Sequence, residues 1–218
     1  MLSFLRCDVP KRTTTAHLNP ITYESGRSKQ LFHRHTARYM MTHSIPPSTP
    51  SSEGKPAFRS MFNPPLHFHM YQREEFHVQS GHARFYISGA THSRHADESI
   101  FIPVEAYHRF ENASPSEDLI VDIALDPRDA VMEERFFRNF FAYLGDCKNM
   151  GRGPSIFQLL LFLYTVDGPL AVPIPGRLGR GVSWFVMFVA GVVVGEWLLG
   201  YRRSYREYYV EEGTGKEL

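Results

Sequence analysis

Pro65–Gly81 reads PLHFHMYQREEFHVQSG. On an extended backbone, residues two apart share a face, so His67 and His69 project together. Glu74 opens a second short run in which Glu74, Phe76 and Val78 share one face, while Glu75 and His77 take the other. Gly81 closes it with the backbone freedom that a hairpin turn needs. Two imidazoles and a carboxylate converging from one wall are what a divalent ion asks of a protein. A third imidazole comes from farther along, in Pro103–Asn112 (PVEAYHRFEN), where His108 follows a turn opened by Pro103.

Working outward from that stretch, residues 29–126 read as short strands cut by Pro, Gly and Ser clusters. The expected strands are Leu31–Met41, Phe58–Met61, Leu66–Tyr71, Glu75–Ser80, Ala83–Ile87, Ser99–Pro103, His108–Asn112 and Leu119–Leu125. Ser44–Lys55 is a loop by composition. Many short strands with regular turn signals predict an antiparallel sandwich or barrel, and a mainly β fold. Residues 1–28 mix Pro, Thr, Ser and Arg without periodicity and read as an irregular arm. After Asp126 the period changes: Met132, Phe136, Phe137, Phe140, Phe141 and Leu144 recur at helical spacing, with Asp129 as cap and Gly145 near the stop. A second helical run covers Ser155–Val166, and a third, Val182–Tyr201, is the most hydrophobic part of the chain. Residues 127–218 thus form a carboxy-terminal helical extension.

The histidine and glutamate spacing resembles that of the cupin family. Its first motif, HxH, four residues, Glu, six residues and Gly, is matched by His67, His69, Glu74 and Gly81. Its second, Pro-x-Gly-x-x-His-x-x-x-Asn, is matched by Pro103, His108 and Asn112. Three motif glycines are replaced, by Met61, Asp97 and Glu105, all at turn positions rather than ligand positions. The resemblance covers about residues 30–126. It implies a double-stranded β-helix (jelly-roll) barrel in which His67, His69, Glu74 and His108 hold one divalent ion. Fe(II) is the first choice, with Mn, Zn, Ni and Cu open. The helical extension and its closing LGYRRSYREYY (Leu199–Tyr209) resemble the small fungal cupins of secondary-metabolite pathways.

A three-His, one-Glu site leaves two adjacent positions of a six-coordinate ion open, which suits a metal-dependent oxidoreductase (an oxygenase or oxidase). Phe68, Phe76, Phe85, Phe101 and Phe110 fit an apolar pocket for a polyketide- or terpenoid-like small molecule. Tyr107, Arg84 and Asn112 are the groups nominated to assist the reaction. Two other readings stay open: a redox-neutral dehydratase, decarboxylase, isomerase or cyclase, and a non-catalytic small-molecule binder. His33 and His35 form a second HxH, but Met40 stands where the carboxylate is needed, so they are expected to hold no metal.

The chain has 218 residues, 43% hydrophobic and 22% charged, with 24 Lys+Arg against 23 Asp+Glu. It can bury a core, and its near-neutral balance argues against a nucleic-acid partner. Two cysteines, Cys7 and Cys147, make no disulfide framework and point to a reducing compartment. Met1–Pro10 is too short and too charged for a secretory signal. Ser183–Gly200 is at the lower end of bilayer-spanning length. Gly191-x-x-x-Gly195 within it suits close helix packing, either in a membrane or across a homodimer. Glu196 and three glycines (Gly191, Gly195, Gly200) lower its insertion energy and favour a helix packed on the barrel or across a dimer, so the expected location is cytoplasmic, or membrane-associated through residues 182–201.

Overall fold

The computed structural model describes residues 6, 9–50, 57–166, 168–174 and 176–211. Cys7, Met1–Leu5 and the end of the expected loop, Ser51–Lys55, lie outside them. The chain divides into two compact units: Asn19–Arg128, and Met1–Leu18 together with Asp129–Leu218.

The first unit is mainly β, an antiparallel barrel of two sheets among the described residues. Nine strands build it: β1 (Ile21–Tyr23), β2 (Ser28–Phe32), β3 (Met41–Ile45), β4 (Arg73–Ser80), β5 (His82–Ile87), β6 (Ala90–His95), β7 (Ser99–Ile102), β8 (His108–Asn112) and β9 (Leu119–Asp126). One sheet runs β1-β2-β3-β9-β4-β7 and the other β6-β5-β8. Alternation sets the inner faces: Glu74, Phe76 and Val78 on β4, Ala83 and Phe85 on β5, and His108, Phe110 and Asn112 on β8 are buried. The two sheets meet through aromatic rings, with Phe76 lying 5.2 Å from Phe85 and 4.9 Å from Phe110 between ring centroids. Such rings carry much of the buried apolar area and prefer these tilted contacts. Gly81 joins β4 to β5 at φ +88°, and a Cβ there would lie 2.5 Å from the Asp118 carbonyl oxygen, so only glycine fits.

Several expected strands are shorter or differently placed. Leu31–Met41 is not one strand but the join of β2 and β3: Ala37 N–H donates to Arg34 O and His33 N–H to Met40 O, closing a tight connection. The polar run from His33 to Thr36 offers no apolar alternation to extend a strand. Phe58–Met61 keeps only the pairing of Phe58 with Thr49, and Leu66–Tyr71 only that of His67 with His108. Pro64 and Pro65 remove backbone donors ahead of His67, which limits any ladder there. Three strands went unforeseen: β3 takes in Ser44 and Ile45, the first two residues of the expected loop. β6 (ATHSRH) is an exposed edge with no buried residue, held by the β5 ladder, with no hydrophobic period to reveal it. β1 is three residues long.

One buried polar group of the barrel gives a pH prediction. His43 on β3 stacks on Phe62 at 4.2 Å, with Gln30 Nε2 3.2 Å from its Nε2. Burial pulls its pKa from 6.5 down to about 3. The unfolded chain therefore takes up this proton first. The contribution is complete above about pH 6.5 and is lost as pH falls towards about 3, at about 1.4 kcal/mol per pH unit. Chemical denaturation at pH 7 and pH 4 should show His43→Leu losing about 3 kcal/mol less than the parent over that interval. An equal loss in both would contradict the assignment.

The second unit is helical. Its α1 (Ala130–Asn149) starts as expected, since the Asp129 carboxylate accepts from Met132 N–H at 3.0 Å. Gly145 lies near the stop, buried about one turn before it; the helix ends at Asn149, and Gly151 beyond it adopts φ +65°. The short α2 (Ile156–Thr165) follows. Then α3 (Gly176–Met187) continues into a wider π-helical segment, Phe188–Leu198. Buried Asp146 on α1 accepts from Thr13 N–H and Oγ and from the Tyr208 hydroxyl at 2.7–2.8 Å. That carboxylate ties both ends of the chain to one helix.

Candidate metal centre

Three local features bring four side chains together. Glu74 is the first inward residue of β4. His67 pairs with His108 at the start of β8 through two backbone hydrogen bonds of 3.0 and 2.8 Å. His69 is fixed by the turn after β7, where Glu105 N–H donates to the His69 carbonyl at 2.6 Å. The imidazoles of His67, His69 and His108 have ring centroids 4.2–5.5 Å apart. One ligand atom from each of the four residues lies within 4.8 Å of every other.

The donor chemistry of this group fits a divalent ion. His67 Nδ1–H donates to Pro65 O at 2.9 Å, and His108 Nδ1–H donates to Ala106 O at 2.8 Å. A carbonyl only accepts, so each bond places the proton on Nδ1 and turns Nε2 towards the centre, as outer partners of ligating histidines do. Both ring nitrogens of His69 are buried without a hydrogen bond; Nε2 is 3.5 Å from Glu74 Oε1. A buried imidazole with no hydrogen bond is costly unless something else takes its lone pair.

Charge in the cluster points the same way. Burial opposes ionisation of Glu74, but His69 and the 2.8 Å hydrogen bond from His108 Nε2 outweigh it and hold the carboxyl well below its usual range. Burial lowers His108, yet Glu74 outweighs that and raises it. A proton on His108 Nε2 thus bridges the pair, as a cation would. Enclosure, followed by the positive potential of His108 and His69, brings His67 down to about 3, which keeps its lone pair available.

The turn that pins His69 carries a strain the sequence hints at. Asp97 and Glu105, standing where the motif has glycine, both adopt positive φ, +66° and +63°. Glutamate is poorly suited to that region. Glu105→Gly should raise stability by about 0.5–1 kcal/mol, the relieved strain exceeding glycine's added chain entropy. A thermal midpoint about 2 °C higher would show it, and a lower midpoint would contradict it.

The other nominated residues lie elsewhere. Arg84 alternates with inward Ala83 and Phe85, and its guanidinium is 3.7 Å from Glu111 on β8. Tyr107 precedes inward His108 and packs edge-on against Phe68, 5.0 Å between centroids. Asn112 is buried, but its amide donates to the Ile45 and Glu117 carbonyls and accepts from Ser114 N–H. None is brought onto the four-residue group. Glu75 points away from it, to Arg38 at 2.6 Å and the Tyr39 hydroxyl at 3.2 Å. His33 hydrogen-bonds Thr42 at 2.7 Å, and His35 is exposed. Reading the sequence missed the Pro65 and Ala106 carbonyls; the clue was their shared place two residues before a ligand histidine.

Comparison with known proteins decides the family. The cupin-domain family matches residues 61–123, a span holding both motifs. The chain is 34% identical to "Probable oxidoreductase virH" of Hypocrea virens over 159 residues, 71% of this chain and 72% of that protein. The chain belongs to the cupin family. A second fungal relative of this cupin, "Oxidoreductase iacF" of Pestalotiopsis fici, is 36% identical over 50% of this chain and 56% of its own length. The cupin thus spans nearly three quarters of one relative and about half of the other. Among solved structures, KdgF from Halomonas sp. aligns with 51% of the cupin and 88% of its own chain, with a TM-score of 0.38 at 13% identity.

Proposed function

We propose that this cupin is a metal-dependent oxidoreductase, an oxygenase or oxidase, acting on a polyketide- or terpenoid-like intermediate of fungal secondary metabolism. The observation that carries the reading is the group of His67, His69, Glu74 and His108, in which the buried His69 imidazole is held only by a 3.5 Å contact with Glu74. These four would hold one divalent ion, Fe(II) by preference. When bound, the ion supplies Lewis acidity and one-electron chemistry. The oxidoreductase class is supported by relatives named "Probable oxidoreductase virH", "Oxidoreductase iacF" and "Epoxidase atD".

The protein's part is positional and electrostatic. Pro65 and Ala106 fix the orientation of two imidazoles, and Glu74 supplies negative charge in a dry interior. Phe76, Phe85 and Phe110 exclude water and favour an apolar substrate skeleton. We assign this chemistry to residues 29–126, the barrel, and none of it to the arm of residues 1–28 or the extension of residues 127–218.

Deletion of the gene in its native host tests the reading. The compound that accumulates should differ from the normal product by two hydrogens or by oxygen. Purified, iron-loaded protein should convert it only when dioxygen is admitted. A difference of water or carbon dioxide, converted without oxygen, would replace this reading with the redox-neutral one. An unchanged metabolite profile would leave only a binding role.

A further inference from the structure

The helical unit contains a helix whose polarity is inverted for a water-facing element. Along Gly176–Leu198 the buried positions are Gly179, Ser183, Met187, Gly191, Val192 and Gly195, mostly small residues. A Cβ at Gly191 would lie 2.7 Å from the Leu160 backbone, and one at Gly195 would lie 3.0 Å from Phe157 O. The glycine pair is therefore occupied by α2 of the same chain. The bulky apolar side chains point outward: Leu178, Trp184, Phe185, Val186, Trp197 and Leu198 are 38–71% exposed. Only 28% of the most apolar eighteen-residue window is buried. Small residues inside and large apolar ones outside is the pattern of helices whose surroundings are lipid.

The charges around this face name its occupant. Residues 169–206 carry five arginines and one carboxylate. Arg177 stands at one end of the helix, and Arg202, Arg203 and Arg206 follow the other, all exposed. The one carboxylate, Glu196, is held by a two-pronged Arg203 contact at 2.8–3.2 Å, so it opposes burial less than a bare charge would. Exposed tryptophan with cationic ends matches the acyl–headgroup boundary of an anionic membrane. The helix is long enough to cross a bilayer, about 35 Å at an α-helical rise. Its buried edge nevertheless runs nearly its whole length. Its partner α2 has ten residues, about 15 Å, and cannot follow it across.

We propose that residues 176–206 dock on the surface of an anionic lipid bilayer. The helix lies in the plane of the membrane, Trp184, Phe185 and Trp197 sit among the upper acyl chains, and the arginines rest on the headgroups. The inference is independent of the metal centre and of the reaction assigned to it.

The chain's two tryptophans are Trp184 and Trp197, so intrinsic fluorescence reports this face directly. Full-length protein should float with phosphatidylcholine vesicles containing phosphatidylserine, with a blue-shifted emission quenched by lipids brominated high on the acyl chain. Binding to phosphatidylcholine alone should be at least tenfold weaker. Arg177→Gln with Arg202→Gln should cost about fivefold per residue on the anionic vesicles. Phe185→Ser with Trp197→Ser should abolish flotation while the far-ultraviolet spectrum is kept. Three results would overturn the proposal. One is no flotation with either vesicle. Another is carbonate-resistant membrane pelleting, which would make the helix spanning. The third is a solution dimer that fails to float and that Phe185→Ser with Trp197→Ser converts to monomer, which would give the face to a second copy.

Discussion

His108→Ala is expected to lower divalent-metal affinity by at least about a hundredfold, since loss of an outer-shell partner alone costs 10–100-fold. It should also weaken the metal-free protein. Glu74 is 5% exposed, and its shortest contact is the 2.8 Å bond from His108 Nε2. Removing one partner of a buried charge pair costs about 3–5 kcal/mol. Two separate readouts follow: metal affinity by competition with a chelating dye, and denaturant midpoint of the metal-free form. Replacing His33 and His35 together should leave metal affinity unchanged, since His33 is engaged with Thr42 on the other side of the wall. Parent-like stability of metal-free His108→Ala would remove the charge pair from the account.

The second large effect is expected far from any metal. Asp146 is buried on α1 and accepts three hydrogen bonds: Thr13 N–H, Thr13 Oγ–H and Tyr208 O–H. In Asp146→Ala all three donors lose that acceptor. Tyr208 is fully buried, so its unsatisfied hydroxyl costs about 1–3 kcal/mol, while the exposed Thr13 can turn its two donors to water; the total is about 1–3 kcal/mol. The damage should be local as well as global. Limited proteolysis should cut first near Thr13 and near Tyr208, before the barrel is attacked. A variant with parent-like stability and the parent's digestion pattern would show that these bonds hold nothing together.

How far the sequence could be read depended on whether the decisive contacts were local. Strand parity is a local property: on β4 it turned Glu75 and His77 away from the face of Glu74, and alternation delimited His108–Asn112 as the strand observed, whereas His67 and His69 lie on a segment that forms only one bridge. The same parity, applied to Arg84 between Ala83 and Phe85, already implied an outward guanidinium. Tyr107 beside inward His108 is a similar case. Asn112 is different, because it shares a face with His108 and Phe110 and parity alone leaves it free. Its amide is taken by Ile45, 67 residues away in the chain, a contact no local pattern carries. β6 and the β2–β3 connection were obscure for a related reason. Their pairing is set by partner strands, while their own side chains show neither alternation nor an apolar run. In the helical unit the period identified α1 and α2, but only the packing shows that Gly191 and Gly195 face α2.

The central claim is that Glu74, together with His67, His69 and His108, holds a divalent ion. It is tested most directly by the metal content of the purified full-length protein beside Glu74→Gln and Glu75→Gln, each loaded with Fe(II) and desalted without chelator. About one ion per chain is expected in the parent and in Glu75→Gln, whose side chain serves Arg38 and Tyr39. A sharp loss is expected in Glu74→Gln, which removes the one carboxylate of the group. An empty parent protein, or full retention in Glu74→Gln with loss in Glu75→Gln, would contradict the account.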